Sequence, residues 1–121
     1  MDKDKMLEKI RKNPDSNKIG MVASHLGIVR GHSRDGRKVK GVEVACDMEV
    51  LNLIMQQIKK MPGIVEALVE VKSGLFKVGD EVLYLSVGGD IRENVFPALI
   101  TGVEMIKKDA AKKREIFENE V

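Results

Sequence analysis

The sequence has one cysteine, Cys46, no tryptophan, one tyrosine and three phenylalanines among 121 residues. A lone cysteine rules out a disulfide within the chain and a metal knuckle built from several thiolates. It fits a reducing compartment, so the expected location is the cytoplasm. Aromatics make up 3% and hydrophobic residues 43%, so any core must be aliphatic, with methionines as filler. No run of about 18 apolar residues occurs, which leaves nothing to span a membrane as a helix. The start, Met1-Asp2-Lys3-Asp4-Lys5, lacks the apolar stretch of a secretory signal. Neither sign of charge dominates: 21 Lys and Arg face 19 Asp and Glu, for a formal net charge of +2. That balance argues against nucleic acid and against a membrane surface as partners. The phosphate-loop, H-E-x-x-H and G-x-S-x-G signatures are all missing. His25 and His32 have no cysteine or carboxylate cluster beside them, so no metal site is expected.

What is present fits one domain over residues 1–121. Met6, Leu7 and Ile10 predict a short amphipathic helix over 3–12, ended by Asn13-Pro14. Residues 19–29 predict a strand, followed by a polar loop with Asp35-Gly36 as its turn signal, then a second strand from Val39 to Val44. The loop that connects them predicts a hairpin. Asp47 is placed to cap a helix carrying Val50, Leu51, Ile54, Met55 and Ile58 at 3.6-residue spacing. Further strands are expected over 64–71 and 81–87, separated by turns at Gly74 and Gly79. Asp90 and Glu93 form a D-x-x-E capping signature. The helix they start is expected to show Val95, Phe96, Leu99, Ile100, Val103 and Ile106 on one broad face. Residues 107–121 are charged and mostly helix-permissive. The pattern predicts an α+β fold, a mainly antiparallel sheet with hairpins and two or three packed helices.

The chemistry on offer is cationic. Arg30, Arg34, Arg37 and Lys38 sit on or beside the first loop. Arg92 opens the long helix, and Lys107, Lys108, Lys112, Lys113 and Arg114 lie at and beyond its end. Such groups are either solvated charges or the lining of a pocket for an anion. Arg92 at a helix N-terminus suits a phosphate or carboxylate. Lysines gathered over a pocket acquire depressed pKa values and can serve as nucleophile or proton donor.

Four segments in order resemble the catalytic (large) subunit of molybdopterin synthase over about residues 18–116. Leu26-Gly27-Ile28-Val29-Arg30-Gly31-His32 is similar to that family's F-x-G-x-V-R-x-H. Gly74 to Val82 is similar to its G-x-L-x-x-G-D-x-x-V turn. Arg92-Glu93-Asn94-Val95-Phe96 aligns with its H-R-x-x-A-F, and Met105-Ile106-Lys107 with the helix end that bears its catalytic lysine.

The resemblance implies that family's fold and an enzyme that inserts two sulfurs into cyclic pyranopterin monophosphate, giving the dithiolene of molybdopterin. Sulfur would arrive as the C-terminal Gly-Gly thiocarboxylate of a ubiquitin-like small subunit. A homodimer flanked by two such partners, a heterotetramer, is implied, with no metal or organic cofactor. By the same resemblance Arg30, Arg92 and His32 bind substrate and Lys107 is the principal catalytic lysine. The second basic group falls on Arg114 without a gap, or on Lys113 or Lys112 if the loop shifts. Three departures stand out. Ile91 replaces the histidine before the family's arginine, Ala45-Cys46-Asp47 replaces E-H-Y, and Ala111-Lys112-Lys113 replaces P-F-W or P-I-W. These departures keep open a non-catalytic relative, a dimeric scaffold that binds the ubiquitin-like partner. Cys46 reads as a small, partly buried hydrophobe.

Overall fold

Helices begin where the capping carboxylates stand. In the computed structural model, which describes residues 1–118, Asp2 accepts from the Lys5 N–H and starts α1, Lys3–Arg11. Asp47 accepts from the N–H groups of Glu49 and Val50 and starts α2, Met48–Lys59. The helically spaced Leu51, Ile54, Met55 and Ile58 are all buried, as the spacing predicts.

The third helix, α3, Arg92–Met105, departs from expectation in two ways. Its N-cap is Ile91, with no side-chain cap. The Asp90 carboxylate accepts instead from the Ile91 N–H and the Asn94 side-chain amide, so the D-x-x-E reciprocal pair does not form. Its buried line is Val95, Ala98 and Gly102, continued by Ile106, while Phe96 and Ile100 are 48% and 58% exposed. Close packing explains the rotation. A Cβ on Gly102 would stand 2.9 Å from Leu85 Cδ2, so the helix presses onto the sheet along its small residues and turns two large ones outward.

Six strands follow in chain order: β1 Met21–Ile28, β2 Val39–Cys46, β3 Ile64–Val71, β4 Gly74–Lys77, β5 Glu81–Gly89 and β6 Ala111–Phe117. They form two antiparallel sheets, β1-β5-β3 and β4-β2-β6. The α+β class is therefore as the sequence implies, but the β1–β2 hairpin is not. β1 pairs along its length with β5, Met21 opposite Gly89 and Ile28 opposite Glu81, while β2 crosses to the other sheet. The loop between them folds on itself: Ser33 N–H donates to Arg37 O, Gly36 N–H donates to Ser33 O, and His32 bridges Lys38. Residues 74–77 also prove to be a strand rather than a turn. Where residues 107–121 read as helix-permissive, the chain forms a π turn, Ile106–Ala110, and then β6, while 119–121 lie outside the described residues. The exposed edge of β2 supplies the backbone partners that override a local helix preference.

The main core lies between the first sheet and helices α2 and α3, with Leu85, Val87, Val95 and Ile106 showing no exposed surface. A smaller cluster, Val29, Val39, Val42 and Val44, is covered by Phe76 and Phe117. Val71 and Ala111 pack against both clusters. The two sheets thus meet where α3 ends and β6 begins.

Candidate functional site

At that meeting point the chain gathers cations. Ile106 is fully buried and anchors the π turn, so the next residue, Lys107, is held at the end of α3 although its own side chain is exposed. Arg30 follows the buried Val29, whose N–H donates to Asp80 O and whose carbonyl accepts from Gly79 N–H. Arg34 sits in the folded loop, which is pinned to β6: the Arg37 guanidinium lies 3.8 Å from the centre of the Phe117 ring. The Asp35 carboxylate accepts from Arg37 N–H and the Ser33 hydroxyl, and pairs with Arg37 Nε at 2.8 Å.

Partial desolvation of the amine, within a side chain that is exposed overall, pushes Lys107 below the ordinary lysine range, and the like charges of Lys113, Arg34 and Arg30 push the same way. Among the described residues none of these four cations pairs with a carboxylate. His25 on β1 is close enough to feel the Lys107 charge. Burial first, then that charge, lowers its pKa, and its Nε2 is buried without a partner. A shallow cleft lined by Arg11, Ser16, Ile19 and Met21 contains none of these groups.

Lys113 stands opposite Val44 and Arg114 opposite Glu43 on β2, so the two basic side chains leave opposite faces of β6. Lys112 turns back and donates to the Lys108 carbonyl. His32 is exposed at the base of the loop. Arg92 is not brought to Lys107. It is 79% exposed, pairs with Glu93 at 3.1 Å, and stands at the other end of α3, about 22 Å away along the helix axis. Ile91 beside it is 50% exposed.

Two members of the cluster lie outside the residues that the sequence singles out as site candidates. Arg34 appears there only as one of a cationic run, and His25 only as half of a dismissed metal pair. The signal for His25 is strand alternation, which puts it on the core-facing side of β1 with Met21 and Ala23. Among the described residues no three His, Cys, Asp or Glu side chains come together as a metal site. Among the described residues no helix is long and apolar enough to cross a membrane.

The family model described as MoaE protein matches residues 1–109. No curated protein matches the sequence. Among solved structures, the fold is similar to molybdopterin synthase from Staphylococcus aureus, at 24% identity and a TM-score of 0.75, covering 93% of this chain and 85% of that one. It is similar to molybdopterin cofactor biosynthesis protein E from Burkholderia multivorans, at 21% identity and a TM-score of 0.74, covering 100% and 87%. It also matches a chain in the complex of subunits 1 and 2 of molybdopterin-converting factor from Helicobacter pylori, at 18% identity and a TM-score of 0.69, covering 99% and 86%. At such identities the structural likeness speaks for the fold. The sequence match takes in Arg30, Arg92 and Lys107 and stops before Lys113. With the match running over most of its length, the chain belongs to the MoaE family.

Proposed function

We propose that this chain is the catalytic large subunit of a molybdopterin synthase, acting in molybdenum-cofactor biosynthesis on cyclic pyranopterin monophosphate. Sulfur comes from the thiocarboxylated Gly-Gly tail of a ubiquitin-like small subunit. The observation that carries the reading is the setting of Lys107, where the family resemblance puts the catalytic lysine. Its amine stands in the field of Lys113, Arg34 and Arg30, with no paired carboxylate among the described residues.

Four like charges held together are unfavourable until an anion joins them. Both proposed reactants are anions, a phosphate and a thiocarboxylate. The planar forks of Arg30 and Arg34 suit the phosphate, and His32 at the base of the same loop suits a further polar contact. A lysine whose pKa is lowered gives up its proton more readily, which favours it as a general acid near neutral pH. In each round the thiocarboxylate sulfur attacks a substrate carbon and forms a carbon–sulfur bond. Lys107 gives its proton to the oxygen that departs. Water then attacks the tail's carbonyl carbon and breaks its bond to sulfur, leaving the sulfur on the pterin and the tail as a carboxylate. Two rounds supply the dithiolene, and neither requires a metal or organic cofactor. Of the residues open for the second basic role, Lys113 is favoured over Arg114 and Lys112 because it shares the Lys107 field.

Arg92 lies too far from Lys107 to serve the same small substrate within one chain. In a homodimer it would serve the site of the second copy. A second reading, a scaffold that binds the ubiquitin-like partner without turnover, is favoured by Ile91, an exposed side chain that cannot carry a proton where the family has histidine.

Reconstitution separates the two. The protein, its thiocarboxylated partner and cyclic pyranopterin monophosphate are combined, and product is read as the fluorescent oxidised pterin. Product is the expected result. A bound partner with no product would move the assignment to the scaffold.

A further inference from the structure

We infer that His25 is a positioning residue for Lys107, its buried Nε2 being the acceptor that holds the lysine ammonium in the site. The inference deepens the proposed function and, for its catalytic consequence, rests on it.

His25 lies on β1 opposite Leu85, on the face whose Met21 and Ala23 pack against the main core. Its Nε2 is buried and has no hydrogen-bond partner among the described residues. A buried polar atom without a partner is unfavourable, so it marks a place where a donor belongs. Gly27, two residues on and on the same face, leaves room beside it: a Cβ there would be 3.8 Å from Nε2. Lys107 is the charge that acts on the imidazole, and its long flexible stem brings three N–H donors.

Charge decides the direction of the hydrogen bond. Burial and the Lys107 ammonium keep His25 neutral at neutral pH, so one ring nitrogen is an acceptor. The other charged groups facing Lys107 are Lys113 from β6 and Arg30 and Arg34 from the loop after β1, and all three drive it toward the free amine. A neutral acceptor is what can hold the proton on Lys107 against them. The sequence agrees with such a role. Aligned on Gly27, Val29, Arg30 and His32, the family pattern F-x-G-x-V-R-x-H puts its phenylalanine at position 25. This chain therefore has an imidazole beside the lysine and lacks one at Ile91.

The test follows the titration of Lys107 itself, from the pH dependence of its acylation by an amine reagent, read by peptide mass spectrometry. Wild type, His25→Phe and His25→Gln are compared. Loss of the acceptor in His25→Phe is expected to move the Lys107 midpoint to lower pH, and the amide oxygen of His25→Gln to restore it in part. In sulfur transfer, His25→Phe is expected to lower kcat about tenfold with KM little changed, and to move the alkaline limb of the pH profile down with Lys107. A folded His25→Phe protein whose Lys107 midpoint stays put or rises overturns the inference. Should His25→Phe not fold, the reciprocal measurement decides: in Lys107→Ala the His25 imidazole, followed by NMR, must titrate at higher pH than in wild type, and an unchanged midpoint overturns the inference. Shifted midpoints in a protein that makes no pterin product would keep the His25–Lys107 pairing and remove the synthase reading.

Discussion

Replacing Lys107 by alanine takes one of four like charges from the end of α3 and leaves the core untouched, because Lys107 is exposed while Ile106 before it is fully buried. Stability and chemistry should therefore part company at these two neighbours. Relief of like-charge repulsion on a side chain that is exposed overall, and so screened by solvent, is worth less than about 1 kcal/mol. Lys107→Ala is thus expected to unfold in urea at the wild-type midpoint or slightly above it, with water in the vacated space taking over as donor to His25 Nε2. Ile106→Ala removes a fully buried side chain from the main core and should cost about 2–5 kcal/mol, from a total of about 5–15 kcal/mol. Ile106→Val, which removes one methylene, should cost about 0.5–1.5 kcal/mol.

For chemistry the order reverses. Loss of a positioned general acid lowers the rate about 10²–10⁴-fold, so single-turnover sulfur transfer should collapse in Lys107→Ala and survive in Ile106→Val. Urea unfolding at pH 7 gives the first quantity and the fluorescent pterin assay the second. A loss of more than about 1 kcal/mol in Lys107→Ala would make it a structural residue. Full transfer in that variant would remove the lysine from the mechanism.

The same lysine leaves a trace in stability against pH. Its folded pKa lies below the ordinary lysine value, so between the two the unfolded chain holds more protons, and stability rises as pH climbs through that interval. Urea midpoints across the alkaline range should show the rise in wild type and lose it in Lys107→Ala. Lys113→Ala removes a cation from the Lys107 field and should raise the Lys107 midpoint in the acylation assay, whereas Arg114→Ala, on the other face of β6, should leave it nearly unchanged. If Arg92 serves the second copy, mixing Lys107→Ala with Arg92→Ala protein under exchange should restore about a quarter of wild-type transfer, since half the dimers then hold one intact site. No recovery would place Arg92 outside the chemistry or within its own chain's site.

The legible parts of the fold are those where local signals agree with one another. Asp47 and the spacing of Leu51, Ile54, Met55 and Ile58 make the same statement about α2, and the helix is found there with that face inward. The β1–β2 hairpin fails because a turn signal reports only on itself. Asp35-Gly36 does turn, with Gly36 at φ +89°, but it closes a small loop and says nothing of which sheet each strand joins. In the candidate site, Arg30 and Lys107 are proposed through their motifs. Arg34 and His25 are not, since their value depends on a loop pinned by Arg37 over Phe117 and on which face of β1 meets the end of α3.

The choice between Lys113 and Arg114 turns on the same point. A helix-permissive reading of residues 107–121 puts Lys107 and Arg114 seven apart, about two turns, on one face, and turns Lys113 about 100° away from that line. The chain instead leaves the helix through the π turn and runs as β6 beside β2, where neighbouring residues alternate sides. Alternation puts Lys113 on the side of the buried Val44 and sends Arg114 to the side of Glu43. Period 3.6 and period 2 thus nominate different residues from the same three cations, and the edge of β2, some seventy positions earlier in the chain, is what selects between them.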